Sequence, residues 1–205
     1  MKNSNCFLTF LTVIALGLVF PTRLHVQTPE RDNPTKELER LYVADQSDSR
    51  PNGTPGEAQA TEARAKKRRE QVSAILAKGG AQSAEDYFRA ALIFQHSVVP
   101  EDHLMAHILA TVAGYKGHKR ARWLSAAALD AYLQSADRAQ IFGTVYLRDG
   151  QRQPFDKAFL SDILREGFCV PPLAEQEKNV EMLKQGGSPM GLKRIASSCE
   201  PVDIP

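Results

Sequence analysis

The chain has 205 residues, of which 42% are hydrophobic and 24% charged, with a formal net charge of +2. Those values fit one globular domain with its own core and exclude a wholly disordered chain. A balance so close to neutral also argues against a nucleic-acid binder or a polybasic membrane protein.

The first element reads as an export signal. Lys2 precedes the apolar run CFLTFLTVIALGLVF, Cys6 to Phe20, which Pro21 and Arg23 end. Fifteen residues are short for a bilayer span but suit the apolar segment of a secretory signal. Residues 1–26 are therefore expected to be a signal peptide and the mature chain periplasmic or secreted. The alternative is an uncleaved N-terminal membrane anchor. Export bears on the cysteines. Cys6 leaves with the signal, and Cys169 and Cys199 remain as an even pair in an oxidising compartment. A bridge between them would close about thirty residues and contribute about 3–4 kcal/mol; two free thiols are the alternative.

A polar linker, residues 27–34, leads into a helical domain over residues 35–185, and residues 186–205 form a tail. Within the domain a first helix is expected over Thr35–Asp45, with Leu38, Leu41 and Tyr42 on one side. Residues 47–60, rich in Pro, Gly and Ser, read as a flexible loop. A charged helix follows over Glu57–Lys78 and stops at Gly79-Gly80. Its run AKKRRE is read as a solvated face, with Glu62 and Glu70 placed to pair with Lys66. Ser83 opens the next helix through a capping box closed by Asp86, and that helix reaches His96. Pro100 begins another, with Glu101 and Asp102 near its positive end, running to Tyr115. Gly117 breaks it, and a further helix spans Lys119–Ser135.

From Gln140 to Phe155 the pattern is irregular, and Asp149-Gly150 marks a turn suited to a β-hairpin. Short helices over Phe159–Glu166 and Ala174–Lys184 flank Val170-Pro171-Pro172-Leu173. The fold class is thus mainly α: a helical-hairpin bundle or short tetratricopeptide-like array, with a small irregular or β segment in the C-terminal third. The small residues Ala90, Ala91, Ala106, Ala110, Ala126 and Ala127 suit close helix packing, although no period of about 34 residues is present.

Polar residues on apolar helix faces are the candidates for function. At about 100° per residue, Gln95 shares a face with Phe88, Ala91 and Leu92, and His96 lies at its edge. Leu104, Ile108, Val112 and Tyr115 form a stripe with His103 and His107 on its flank. Asp130 falls beside Trp123 and Ala127 and requires a cationic or donor partner. One reading is a polar pocket built from Gln95, His96, Asp130, Gln140 and Thr144, in which Asp130 orients His96 as a general base. The other is a buried network that only fixes helix packing. His103 and His107 have the i, i+4 spacing of a metal pair, but Leu104 stands where H-E-x-x-H has Glu, so a metal is the weaker reading. Nothing calls for a cofactor.

DYFRAALIFQH (Asp86–His96), MAHILA (Met105–Ala110), RWLSAAALDAYL (Arg122–Leu133), Q-x-F-G-T (Gln140–Thr144) and VPPL (Val170–Leu173) together resemble a bacterial family, domain-of-unknown-function family 6624. The resemblance covers roughly Leu38 to Leu173. It implies the domain boundaries and the candidate pocket, and carries no activity. Ala131 and Val145 depart from its pattern, which often has Arg after the mid-helix Asp and Gln after G-T. The function expected is a binding or interaction module for an unknown small molecule or protein. It would not bind nucleic acid, and would touch a membrane only through its N-terminal segment. The alternatives are a hydrolase-like enzyme using a His-Asp pair and a purely structural envelope protein.

Overall fold

The computed structural model describes residues 33–48, 55–146 and 154–185. Among these lie seven helices: α1 Pro34–Asp48, α2 Pro55–Ala77, α3 Ala84–Gln95, α4 Pro100–Tyr115, α5 Ala121–Ser135, α6 Asp162–Gly167 and α7 Leu173–Lys184. The signal segment, Asp149-Gly150, Cys199 and the tail lie outside the described residues. No helix of the described residues is long and apolar enough to cross a membrane.

Local signals set most of the ends. Ser83 Oγ accepts from Asp86 N, and the Asp86 carboxylate accepts from Ser83 N, which completes the expected capping box. Asp86 Oδ2 also takes Gln82 N at 3.1 Å and the Thr35 hydroxyl at 3.2 Å, which ties the start of α3 to the start of α1. Burial of Asp86 works to raise its pKa, but these hydrogen bonds together outweigh that and hold the carboxyl below its usual range. At the end of α4, Gly117 has φ +91°, and His118 N reaches back to Ala113 O at 3.0 Å. That left-handed turn with its long backward bond closes the helix, and it favours glycine because a Cβ is disfavoured there. α1 runs on to Asp48 and α2 begins at Pro55, so helix occupies much of the stretch expected to be loop.

α3, α4 and α5 form the centre of the bundle, each antiparallel neighbour joined by a short connection, with α1 and α2 packed on α3. The alanines are the reason these helices can approach closely. Ala90, Ala91, Ala106, Ala110 and Ala126 are completely buried, and Ala127 nearly so. Leu38 and Leu41 of α1, Val72 of α2, Phe88, Ile93 and Phe94 of α3, and Leu124 of α5 fill the core around them. Burial of each large side chain stabilises the fold by about 1.5–3 kcal/mol.

The structure reverses one expectation on α4. Leu104, Ile108 and Tyr115 are exposed, Tyr115 to 92%, while His103, Ala106, Leu109, Ala110 and Ala113 face inward. Packing density explains the choice: the alanine side lets α3 and α5 come closer than the bulkier stripe would. AKKRRE is also only half solvated. Lys66 and Lys67 are exposed, but Arg68 and Arg69 are buried.

A second, smaller core joins Ala126, Phe142 and Val170, with Trp123, Leu129, Ile141, Leu160 and Phe168 against it. It holds the irregular segment after α5 to α6 and α7. No strand occurs among the described residues. Gln140 and Phe155 form an isolated parallel bridge.

Candidate functional site

The structure divides the expected pocket into two polar centres. The first is built around Asp130, which is completely buried near the end of α5. Its Oδ1 accepts from Ile141 N at 2.8 Å and Phe142 N at 3.0 Å. Its Oδ2 accepts from Thr144 N at 3.0 Å and Thr144 Oγ1 at 2.8 Å. A carboxylate held by four donors is a charge-assisted anchor for the chain that wraps over it. The donor partner expected for Asp130 is therefore the backbone of its own following loop.

Gln140 works in the same way. Its side chain donates through Nε2 to Val145 O at 3.2 Å and accepts through Oε1 from Val145 N at 3.0 Å. Both contacts use the backbone of Val145, so the departure from the family pattern at that position leaves them intact. From α7, Gln176 Nε2 donates to Phe142 O at 3.0 Å and to Pro171 O at 2.8 Å. Gly143 sits between these groups with φ +81°, and a Cβ there would run into Gln176 Oε1 and the Phe155 ring. Asp130, Gln140 and Thr144 are thus brought together, and Gln176 joins them, in a knot that ties the segment after α5 to α5 and α7.

The second centre lies where α1, α2 and the end of α3 meet. Nδ1 of His96 is 2.6 Å from Oδ2 of Asp45, a buried carboxylate of α1. The expected His96–Asp130 unit is therefore not the one formed: Asp130 holds its own loop, and Asp45 orients His96. On the other side of Asp45, Arg68 Nε lies 3.6 Å from Oδ1, an ion pair too long for a hydrogen bond. Arg68 Nη1 donates to Asp48 Oδ2 at 2.7 Å, and Arg64 also holds Asp48. The Arg64 hydrogen bonds, with help from Arg68, keep the Asp48 carboxyl below its usual range.

Arg69 continues the network toward α4. It pairs through Nε with Asp102 Oδ2 at 2.9 Å and through Nη2 with Glu62 at 2.8 Å. Ser97 Oγ donates to Asp102 Oδ2 at 2.6 Å and accepts from Val99 N, which steadies the joint before α4. Arg68 Nε, Arg69 Nη1, Gln95 Oε1 and His103 Nδ1, on the helices that carry this network, are buried and have no hydrogen-bond partner. Buried polar groups are ordinarily satisfied, so such atoms mark a place for water or a ligand.

His103 and His107 do not converge. His103 is buried, and burial lowers its pKa, with the nearby Asp102 charge acting in opposition. His107 Nδ1 is 2.9 Å from both Ser125 O and Ser125 Oγ, across the α4–α5 seam. No group of three His, Cys, Asp or Glu residues able to hold a metal occurs among the described residues. His118 stacks on Phe88 at 3.8 Å with Nε2 3.1 Å from Glu85. Cys169 is disulfide-bonded, and Cys199 lies outside the described residues.

Asp45, Arg68 and Arg69 were missed from the sequence. Asp45 had a signal: it follows Leu41 by four residues and Leu38 by seven, so it lies on the buried face of α1. The arginines had none, because charged residues on a charged helix look solvated until another helix packs over them.

No family model, curated protein or solved structure matches the chain. The resemblance to domain-of-unknown-function family 6624 therefore rests on the quoted motifs alone.

Proposed function

We propose that this is an exported helical binding module, a member of domain-of-unknown-function family 6624, that takes a small polar ligand at the α1–α2–α3 joint. The observation that carries this is the set of buried atoms without a hydrogen-bond partner on Arg68, which faces Asp45, on Gln95, which precedes His96, and on Arg69 and His103 at the adjoining α2–α4 contact. Arg68 Nε and Arg69 Nη1 offer donors, Gln95 Oε1 offers an acceptor, and His103 Nδ1 can serve as either. A ligand carrying both donors and acceptors would satisfy them. Asp130, Gln140 and Thr144 then support the domain without touching the ligand. A short tetratricopeptide-like array of helical hairpins suits this role, since a rigid scaffold can present polar groups from several helices.

The 2.6 Å contact between His96 and Asp45 favours a second reading, a hydrolase-like enzyme. There Asp45 would fix the imidazole tautomer and His96 would act as general base.

The test compares wild type and His96→Ala in a thermal-shift screen of polar metabolites and in a panel of ester and amide substrates. Loss of ligand-induced stabilisation with an unchanged melting temperature supports binding. Loss of turnover with ligand affinity retained supports catalysis. A fall in melting temperature with no ligand found for wild type would favour the structural network over both.

A further inference from the structure

We propose that the outward face of α4 is a homodimer interface, docking antiparallel against α4 of a second copy of this chain. Glu101, Leu104, Met105, Ile108, Val112 and Tyr115 fall within an arc of roughly 100° on the helix. Leu104, Met105, Ile108 and Tyr115 are all exposed large apolar residues. The opposite side of α4 is already spent on α3 and α5 through Ala106, Leu109, Ala110 and Ala113. The helix is therefore apolar on two faces, and the exposed one has the larger side chains.

The spacing of Glu101, Met105, Ile108, Val112 and Tyr115 alternates four and three residues, which is the seam a helix presents to one partner helix. The charges select the partner and its direction. Glu101 begins this face and Lys116 follows its end, and both are exposed. Lys116 Nζ lies 5.7 Å from the centroid of the Tyr87 ring of α3, so it stands at the edge of this face nearest α3.

About a two-fold axis beside Ile108, Met105 of one protomer meets the partner's Val112, and Glu101 meets the partner's Lys116, twice over. A parallel pair would set like charges against each other at both ends. Self-complementarity of this kind is what an isologous contact requires. Tyr115, exposed to 92%, is the type of residue that dominates such contacts. One helix face offers less than the about 800 Å² per partner of a standard interface, so the dimer is a weak one.

Sedimentation velocity of the exported protein, from about 1 to 500 μM, reads this directly. Wild type is expected to shift from monomer to dimer. Ile108→Glu should weaken dimerisation at least tenfold while leaving the melting temperature and helical content unchanged, since Ile108 is already half exposed. Glu101→Lys and Lys116→Glu should each weaken it, and the two together should restore it. A chain that stays monomeric throughout, or whose association is indifferent to Ile108→Glu, overturns the proposal; so does failure of the double charge exchange to restore the dimer.

Discussion

Asp130→Ala is expected to destabilise the domain by freeing the segment after α5 from its anchor. The substitution removes four hydrogen bonds and leaves the donors of Ile141, Phe142 and Thr144 without an acceptor. Phe142 N is fully buried, and an unsatisfied buried donor costs about 1–3 kcal/mol. Ile141 and Thr144 are only half-buried, so water can recover part of what they lose. The expected loss is about 3–5 kcal/mol, or about 10–15 °C in melting temperature for a domain of this size. Asp130→Asn should lose less, about 2–3 kcal/mol, because one side-chain oxygen still accepts while the amide opposes the Thr144 donors. Thr144→Val, which removes one hydroxyl, should cost about 1 kcal/mol. Urea unfolding followed by circular dichroism measures all three, with an unchanged slope as the check on two-state behaviour. An Asp130→Ala protein as stable as wild type would refute the assignment of Asp130 to the fold and return it to the list of candidate ligand-binding groups.

Gly143→Ala should destabilise by about 2–4 kcal/mol, since φ +81° disfavours a side chain and the Cβ meets Gln176 and Phe155; a neutral result in the same urea assay would contradict the geometry. Arg165→Lys should cost several kcal/mol, because Arg165 uses two guanidinium nitrogens to hold Leu160 O at 2.6 Å and Lys157 O at 2.9 Å, a fork that lysine lacks. Its signature would be early proteolysis between residues 154 and 161. Burial lowers the pKa of His103 and of His118, against the opposing pull of Asp102 and Glu85 respectively. The unfolded chain therefore takes up protons near the ordinary imidazole value of about 6.5 while the folded chain waits for lower pH. Stability should fall as pH drops from about 7 and level off below the folded values, and His103→Leu should flatten part of that slope. Alkylation of the unreduced protein should leave Cys169 unmodified, and its labelling without reductant would contradict the disulfide.

The sequence by itself determined the helices. The Ser83–Asp86 capping box, Pro100 at the first turn of α4 and the glycine stops are local, so they act before any helix meets another. The buried alanines and the buried position of Asp130 were also legible, since helical spacing alone places them. Partnership was not. Asp130 and His96 looked like a unit because both are polar residues on apolar faces, but periodicity says which way a side chain points and not which helix it meets. Asp45 and His96 are 51 residues apart, and only the packing of α1 on α3 brings them to 2.6 Å. The same holds for Arg68 and Arg69, whose burial depends on α1 and on the start of α4 covering them, and for the outer face of α4. That face has the stronger apolar pattern, yet the tertiary structure buries the alanine side. Close packing rewards the shortest distance between helices, and small residues allow it.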